Sequence, residues 1–189
     1  MVIKMVGWII LIIVLVIGLY ILIKYNGFVV LRNRIQNAWA QINVELKRRY
    51  DLIPNLINTV KGYMQYEKEV LENVVKARSQ AIEAKSVKEQ GEAETQLTKT
   101  LRTLFAVMEN YPELKANENV MRLQEELTST ENRIAFSRQF YNDIVMRYNA
   151  GIQTFPANII ANMFNFKGEE YFEIELPEEK EVPKVDLGL

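Results

Sequence analysis

An uninterrupted run of uncharged residues, Met5 to Ile23, separates Lys4 from Lys24 and constrains this chain more than any other feature. The run, MVGWIILIIVLVIGLYILI, has 19 residues, and as an α-helix it would span roughly 29 Å, close to the hydrocarbon thickness of a bilayer. We therefore predict one transmembrane helix, with Trp8, Tyr20 and the two flanking lysines at the membrane interfaces.

Two other interpretations of this run are weaker. A cleaved secretory signal would have a shorter apolar stretch and small residues at A-x-A spacing before the cleavage site, where this chain has YILIKYNG at 20–27 instead. A buried helix of a soluble protein would need a larger core than a chain of this length supplies. The run is therefore interpreted as an uncleaved anchor.

The flanking cations predict the orientation of the anchor. Lys4 stands alone before the run, whereas Lys24, Arg32 and Arg34 follow it, with no acidic residue until Glu45. Because positive charge is retained on the cytoplasmic side, we expect the N-terminus outside and the C-terminal part in the cytoplasm. The predicted location is the cell membrane, with a single pass.

Composition excludes several functions. Lys and Arg number 23 against 24 Asp and Glu, and the chain has neither Cys nor His. Near-neutral charge argues against a nucleic-acid partner. Without Cys or His there are no disulfides, thiolate metal sites, Ser-His triads or HExxH motifs, and no glycine-rich phosphate loop occurs. We predict no enzymatic activity, no catalytic or metal-binding residues and no cofactor.

Apolar spacing after the run predicts helices almost throughout. A first stripe repeats every three or four residues, as one face of an α-helix does, at Phe28, Leu31, Ile35, Ala38, Ile42 and Leu46. This helix is expected to run from the membrane to about Tyr50. Pro54 disfavours helical geometry at Ile53, and Asp51 can cap a fresh start, so a turn or sharp kink is expected at 50–54.

Three further stripes follow, over 56–84, 93–108 and 120–148. Four amphipathic helices with short connections predict an all-α fold: a single N-terminal transmembrane helix followed by an antiparallel four-helix bundle of long helices. Only 171–176 (YFEIEL) has the pattern of a strand.

The same reasoning predicts three regions. Residues 1–25 form the external N-terminus and the anchor, and residues 26–153 form the cytoplasmic bundle. Residues 154–189 form an apolar C-terminal segment with an acidic tail, which is interpreted as disordered and solvated.

Glu67 places a carboxylate inside the second stripe. A lone buried carboxylate is costly, so either it turns outward at the rim or it pairs across the bundle with Arg78 or Arg138 in a buried polar layer. A metal-binding role is disfavoured, since the Glu-x-x-His pairs of di-iron bundles need His. The basic cluster Lys47–Arg49 is interpreted as cations near the carboxyl end of a helix rather than as a lipid-binding patch.

Two apolar sets are candidates for contacts outside the bundle. Five residues off the main stripes are candidates for an oligomer or partner face, unless they simply widen the buried helix faces: Trp39, Met64, Phe105, Phe136 and Phe140. The C-terminal segment either dips into the membrane interface or covers the end of the bundle, and its candidate residues are Phe155, Ile159, Ile160, Met163, Phe164 and Phe166.

Three long stretches resemble the LemA family of bacterial membrane proteins: YNGFVVLRNRIQNAWAQINVELKRRYDLIPNLINTVKGY, QEELTSTENRIAFSRQFYNDIVMRYN and FPANIIANMFNFKGEEYF. The similarity runs from about Tyr25 to Phe172. It implies an external N-terminus, a transmembrane helix and a cytoplasmic four-helix bundle, and it implies no mechanism. Where the family often has His before the glutamate of a GYxxHE-like segment, this chain has Tyr66 before Glu67.

Three functions are compatible with these features. The first is a homo-oligomeric, membrane-associated scaffold that organises the lipid bilayer. The second is a membrane-tethered adaptor that presents its bundle to a cytoplasmic protein partner. The third, a carboxylate-based metalloenzyme, loses most of its support because the chain has no His and no Cys. We rank the scaffold narrowly above the adaptor.

Overall fold

The computed structural model describes residues 2–174, with side chains from Lys4 onward. These residues form six α-helices and no strand: α1 (Val2–Val60), α2 (Lys68–Glu83), α3 (Val87–Met108), α4 (Pro112–Lys115), α5 (Glu118–Gln153) and α6 (Ala157–Met163). The all-α prediction is confirmed. The acidic tail and the end of the predicted 171–176 strand lie outside the described residues, and the described part of that stretch is not a strand.

The chain divides into two compact units. Within the described residues, the first unit comprises residues 2–41 together with Gln139–Glu170, and the second comprises Ile42–Arg138 together with residues 171–174. The first unit thus takes the beginning of α1, the end of α5 and α6. The second takes the end of α1, α2, α3, α4 and the beginning of α5.

The apolar run lies in the first unit, at the start of α1. Among the described helices, α1 alone is long and apolar enough to cross a membrane by length and composition, and none of its most apolar window is buried. Beyond the run, the buried residues of this unit come from three helices: Phe28, Ile35 and Ala38 of α1, Tyr141, Ile144, Val145, Tyr148 and Ile152 of α5, and Ala157, Ile160 and Ala161 of α6.

The second unit has a continuous apolar core. Its buried side chains come from every helix of the unit and from one residue of the α1–α2 connection: Ile53, Leu56, Val60, Met64, Leu71, Val74, Ala77, Ala81, Leu97, Leu101, Leu104, Met108, Leu114, Val120 and Leu127. Spacings of three and four residues within each helix place these side chains on one face. The antiparallel four-helix arrangement and the bundle limits 26–153 stay predictions.

Of the turn or sharp kink expected at 50–54, the turn is wrong, and the kink stays a prediction. The whole stretch is helical, and α1 continues through Pro54 to Val60. The predicted second stripe therefore begins inside α1, and the connection to α2 lies at 61–67. Pro54 cannot donate to the carbonyl oxygen of Tyr50, four residues earlier. That oxygen instead accepts a 2.8 Å hydrogen bond from Arg78 Nε of α2, so a tertiary contact replaces the missing helical bond.

Candidate functional site

The C-terminal end of the apolar run brings two predicted interface residues together. The Nζ of Lys24 lies 5.7 Å from the centroid of the Tyr20 ring, a distance at which the cation is attracted to the ring face. Near the other end of the run, Trp8 is 67% exposed and Lys4 is exposed. These aromatic and cationic groups flank the apolar segment.

An aromatic cluster begins directly after this run. The Tyr25 ring lies 4.8 Å from the Phe164 ring and 5.6 Å from the Phe166 ring, measured between centroids. Phe28 lies 5.3 Å from Phe166 and 6.4 Å from Tyr148 of α5. Edge and tilted contacts at such distances are favourable ring geometries. The end of α6 is therefore packed against α1 immediately after the apolar run.

The chain leaves α6 through a Schellman motif, which sets the direction of these rings. Asn165 adopts a left-handed φ of 55°, a conformation that Asn tolerates better than most residues. The Phe166 N–H donates to the Ala161 carbonyl at 2.9 Å, and the Asn165 N–H donates to the Asn162 carbonyl at 3.2 Å. These are the two bonds that end such helices, and they reverse the chain so that Phe164 and Phe166 both face Tyr25.

Two α5 side chains hold the segment after the motif. The Asn149 amide donates to the Glu169 carbonyl at 2.9 Å and accepts from the Glu169 N–H at 2.9 Å. The Tyr141 hydroxyl donates to the Glu170 carbonyl at 2.9 Å. Burial raises the pKa of Tyr141 to about 12, with further contributions from Glu169 and Glu170, so this hydroxyl keeps its proton at physiological pH.

The predicted C-terminal segment divides between two surroundings. Ile160 is buried, together with Ala157 and Ala161, and Phe166 is half-buried in the aromatic cluster. The remaining predicted residues are exposed: Phe155 by 76%, Ile159 by 58%, Met163 by 60% and Phe164 by 45%. One face of α6 is therefore buried in the first unit, and its opposite face is open and apolar. Whether the segment dips into the membrane interface or covers the end of the bundle stays a prediction.

A buried polar cluster occupies the second unit. Arg49 of α1 is 2% exposed, and its guanidinium donates to Glu94 Oε2 at 3.2 Å and to the Thr98 hydroxyl at 2.9 Å. The other oxygen of Glu94, which is fully buried, accepts from the Tyr50 hydroxyl and, at 3.1 Å, from the Gln90 amide. Both charges are therefore paired and hydrogen-bonded, as buried charges must be.

Burial governs the ionisation of this cluster. Removal from water raises the pKa of the Glu94 carboxyl, whereas the Arg49 charge and the hydrogen bonds from Tyr50 and Gln90 oppose that rise. Burial, followed by the charge of Glu94, also raises the pKa of Tyr50. The Arg49 and Glu94 side chains are closed off from solvent, and their ion pair joins α1 to α3.

The interpretation of Lys47–Arg49 as helix-end cations is wrong. Helix α1 continues 11 residues past Arg49, to Val60, and Arg49 continues the buried stripe between Leu46 and Ile53 at steps of three and four. Glu94 likewise precedes Leu97 by three residues in the α3 stripe. Charged residues of opposite sign at stripe positions are the signal that would have found this pair.

The predicted polar layer of Glu67, Arg78 and Arg138 is not assembled. The half-buried Glu67 precedes α2 and accepts a 3.3 Å hydrogen bond from the Tyr111 hydroxyl. Arg78 donates to the Tyr50 carbonyl, and Arg138 donates to the Ile174 carbonyl at 3.4 Å. The three side chains have separate partners, because the connection at 61–67 removes Glu67 from the helical stripe.

The five residues of the predicted partner face also separate. Met64 is fully buried, so its assignment to an exposed face is wrong. Trp39 is partly buried and packs 5.4 Å from the Tyr141 ring, and Phe105 packs against the core of the second unit. Phe136 and Phe140 are exposed, by 74% and 49%.

An open groove of about 950 Å³ lies beside Phe136 in the second unit. Glu45 of α1 contributes to one wall, and the others come from α5: Met121, Gln124, Glu125, Thr128, Ser129, Asn132, Arg133, Phe136 and Ser137. Glu45 Oε1 lies 3.9 Å from Arg133, whereas its buried Oε2 has no hydrogen-bond partner. In the described part of the chain, no three acidic groups lie close enough to hold a metal ion.

Comparison with known proteins identifies relatives of this chain. The sequence model of the LemA family matches residues 38–187. The magnetosome protein MamQ 2 of Paramagnetospirillum magneticum is 26% identical over 179 residues, covering 81% of this chain and 66% of the relative. Protein LemA of Metamycoplasma hominis is 26% identical over 157 residues, covering 82% of this chain and 69% of the relative. The chain thus spans slightly less than two thirds of the magnetosome relative.

Proposed function

Because the chain belongs to the LemA family, we propose that it is a non-enzymatic, single-pass membrane protein whose helical region acts as a homo-oligomeric scaffold. One observation carries the membrane part of this proposal. Every large apolar side chain from Met5 to Leu19 is about half or more exposed. Covering one Leu or Ile side chain contributes about 1.5–3 kcal/mol, and the length and composition of this surface suit a bilayer.

The chemistry of the described side chains supports a non-enzymatic role. The ion pair with the deepest burial, Arg49 with Glu94, is enclosed and serves the packing of two helices. The chain also offers no His or Cys as a base, nucleophile or soft metal ligand.

The orientation belongs to the same proposal, with the N-terminus outside and the helical region in the cytoplasm. Lys24, Arg32 and Arg34 after the apolar run, against Lys4 before it, support this. Since the chain has no cysteine, Val2→Cys provides a single labelling position. We expect it to react with a membrane-impermeant thiol reagent in intact cells, and protection until the cells are lysed would reverse the orientation.

The oligomeric part is supported by the exposed Phe136 beside the groove of the second unit. A large exposed aromatic next to a concave surface is typical of protein contacts. The decisive experiment is light scattering of the full-length protein, gently extracted from membranes, with its lipid content counted. A large, homogeneous particle that retains lipid is the result expected for a scaffold.

A matched pair of variants tests the role of Phe136. Phe136→Ser should reduce the particle mass, whereas Tyr66→Ser, which removes an aromatic ring that is 95% exposed in the α1–α2 connection, should leave it unchanged. A small particle for the unaltered protein would contradict the scaffold.

The groove also favours a second candidate, a membrane-tethered adaptor. The polar side chains in its walls and the unpaired Oε2 of Glu45 suit a partner segment that carries hydrogen-bond donors. An adaptor predicts a monomeric or dimeric particle with a co-purifying protein. Phe136→Ser should then abolish co-purification of that protein, while the number of copies of this chain in the particle stays the same.

A further inference from the structure

We propose that the exposed face of α6, formed by Ile159 and Met163, inserts into the lipid interface at the membrane surface where the apolar run ends, together with the exposed Phe155 just before the helix and Phe164 at its end. This second lipid contact rests on the proposed membrane anchoring and adds a role for the C-terminal segment. Three observations support it: the composition of the segment, the position of α6 beside α1, and the rigidity of its attachment.

The composition of the segment suits lipid rather than water. Between Arg147 and Lys167 the chain has no charged residue. Ile159 and Met163 are four residues apart, so they share one face of α6, and both are more than half exposed. An exposed helix face in water normally carries charged side chains, whereas an interfacial element presents aliphatic and aromatic groups to the boundary between headgroups and acyl chains.

The position of α6 selects lipid as the occupant of this face. Phe164, at the end of the helix, contacts Tyr25 at 4.8 Å between ring centroids. Tyr25 follows Ile23, the last residue of the apolar run, by two positions, which is roughly 3 Å along a helix axis. If the run crosses the bilayer, this contact places the end of α6 at the bilayer surface.

The attachment of α6 keeps this face in a fixed orientation. Ile160 and Ala161 are buried on the opposite side of the helix. The paired hydrogen bonds of Asn149 with Glu169 fasten the chain that follows. The open face therefore needs no rearrangement of the protein to meet lipid, and its insertion should not depend on anionic headgroups, because the segment itself is uncharged.

The test uses the full-length protein in phosphatidylcholine nanodiscs that hold one copy each. Ile159→Cys carries an environment-sensitive NBD label at the only cysteine of the chain, and nitroxide-labelled lipids report on contact with the bilayer. Asp143→Cys is the control, since Asp143 is an exposed residue of α5 in the same unit, ten residues before the end of that helix. Met163→Cys is a second reporter on the same face, in case the first variant does not fold.

We expect the label at position 159 or 163 to emit at shorter wavelength and to be quenched by lipid that carries the nitroxide near its headgroup. The label at position 143 should emit as in water, without quenching. Water-like emission at both reporter positions would overturn the proposal. Short-wavelength emission without quenching by lipid would also overturn it, because protein would then cover the face.

A separate measurement distinguishes this failure from failure of the anchor. Protein released from vesicles by alkaline carbonate would contradict the proposed membrane anchoring as a whole. Protein that remains in the membrane, with both labels on α6 in water, would contradict the insertion of α6 alone.

Discussion

Arg78 Nε donates a 2.8 Å hydrogen bond to the carbonyl oxygen of Tyr50, the oxygen that Pro54 leaves without its helical partner. In an uninterrupted helix, the N–H of residue 54 would occupy this position. The side chain from α2 therefore performs a backbone function in α1, and it explains how one helix continues through a proline. The same bond fastens α2 beside the C-terminal part of α1.

Replacement of Arg78 by alanine should lower the free energy of unfolding by about 1–3 kcal/mol, because a partly buried carbonyl loses its donor. The dependence on Pro54 gives the control. In a Pro54→Ala background, the alanine N–H can bond to Tyr50, so the same substitution should cost less. Urea unfolding of the full-length protein in mild detergent, followed by circular dichroism, measures both costs. Equal costs in the two backgrounds would contradict this role for Arg78.

Removal of only one partner of the Arg49–Glu94 ion pair should lower the free energy of unfolding substantially. Glu94→Leu leaves the Arg49 charge buried without its partner, and such changes cost about 3–5 kcal/mol. The double change Arg49→Met with Glu94→Leu removes both charges and should cost less than the single change. The same unfolding measurement compares them, with Glu92→Leu, an exposed position of α3, as a control expected to change stability by about 0.5 kcal/mol or less. A double change that costs as much as Glu94→Leu alone, or more, would show that the pair is not coupled.

The raised pKa of Glu94 predicts a pH dependence of stability. Below its ordinary value of 4.5 the carboxyl is protonated in both the folded and the unfolded chain. As the pH rises above 4.5, the unfolded chain releases the proton first, so this group makes the folded state progressively less stable until its folded pKa is passed. Relative to Glu94→Gln, the unaltered protein should therefore lose stability as pH rises. The difference in unfolding free energy between the unaltered protein and the control Glu92→Gln should not change with pH. A difference that grows in favour of the unaltered protein would contradict the raised pKa.

Local sequence patterns were sufficient to predict burial and exposure where the apolar face of a single helix determines them. The uncharged run predicted the exposed start of α1, and the stripe through Phe28, Ile35 and Ala38 predicted buried residues of the first unit. The turn at 50–54 was mispredicted, because the partner that replaces the bond lost at Pro54 comes from Arg78, 24 residues away along the chain. Local propensity rules take account of the proline, but they do not include a hydrogen-bond donor that tertiary folding brings from another helix.

The polar sites were harder to predict, because charged residues are normally assigned to the surface. Arg49 was interpreted together with Lys47 and Arg48 as cations near the carboxyl end of a helix, although its spacing from Leu46 and Ile53 continues the buried stripe. The side chain of Arg48, by contrast, is exposed and pairs with Glu126. A charged residue within an apolar stripe indicates a buried ion pair when another helix has an opposite charge within its own stripe. Glu94 of α3 is that second charge.

Gly91 allows the C-terminal chain to approach α3, and this close approach gives a further prediction. A Cβ atom at Gly91 would overlap the carbonyl oxygen of Glu173, next to the fully buried Phe172. Alanine normally favours a helix interior over glycine by about 1 kcal/mol. Here we expect Gly91→Ala to destabilise the protein instead, by about 1–3 kcal/mol, as overpacked cores do.

Gly62→Ala is the matched control, because a Cβ atom there would meet open space. Limited proteolysis should show faster cleavage near Phe172 in the Gly91→Ala variant and an unchanged pattern in the Gly62→Ala variant, because only the first change displaces the chain from α3. If Gly91→Ala were stabilising, and cleavage near Phe172 were unchanged, the contact between α3 and the chain at Glu173 would not exist in solution.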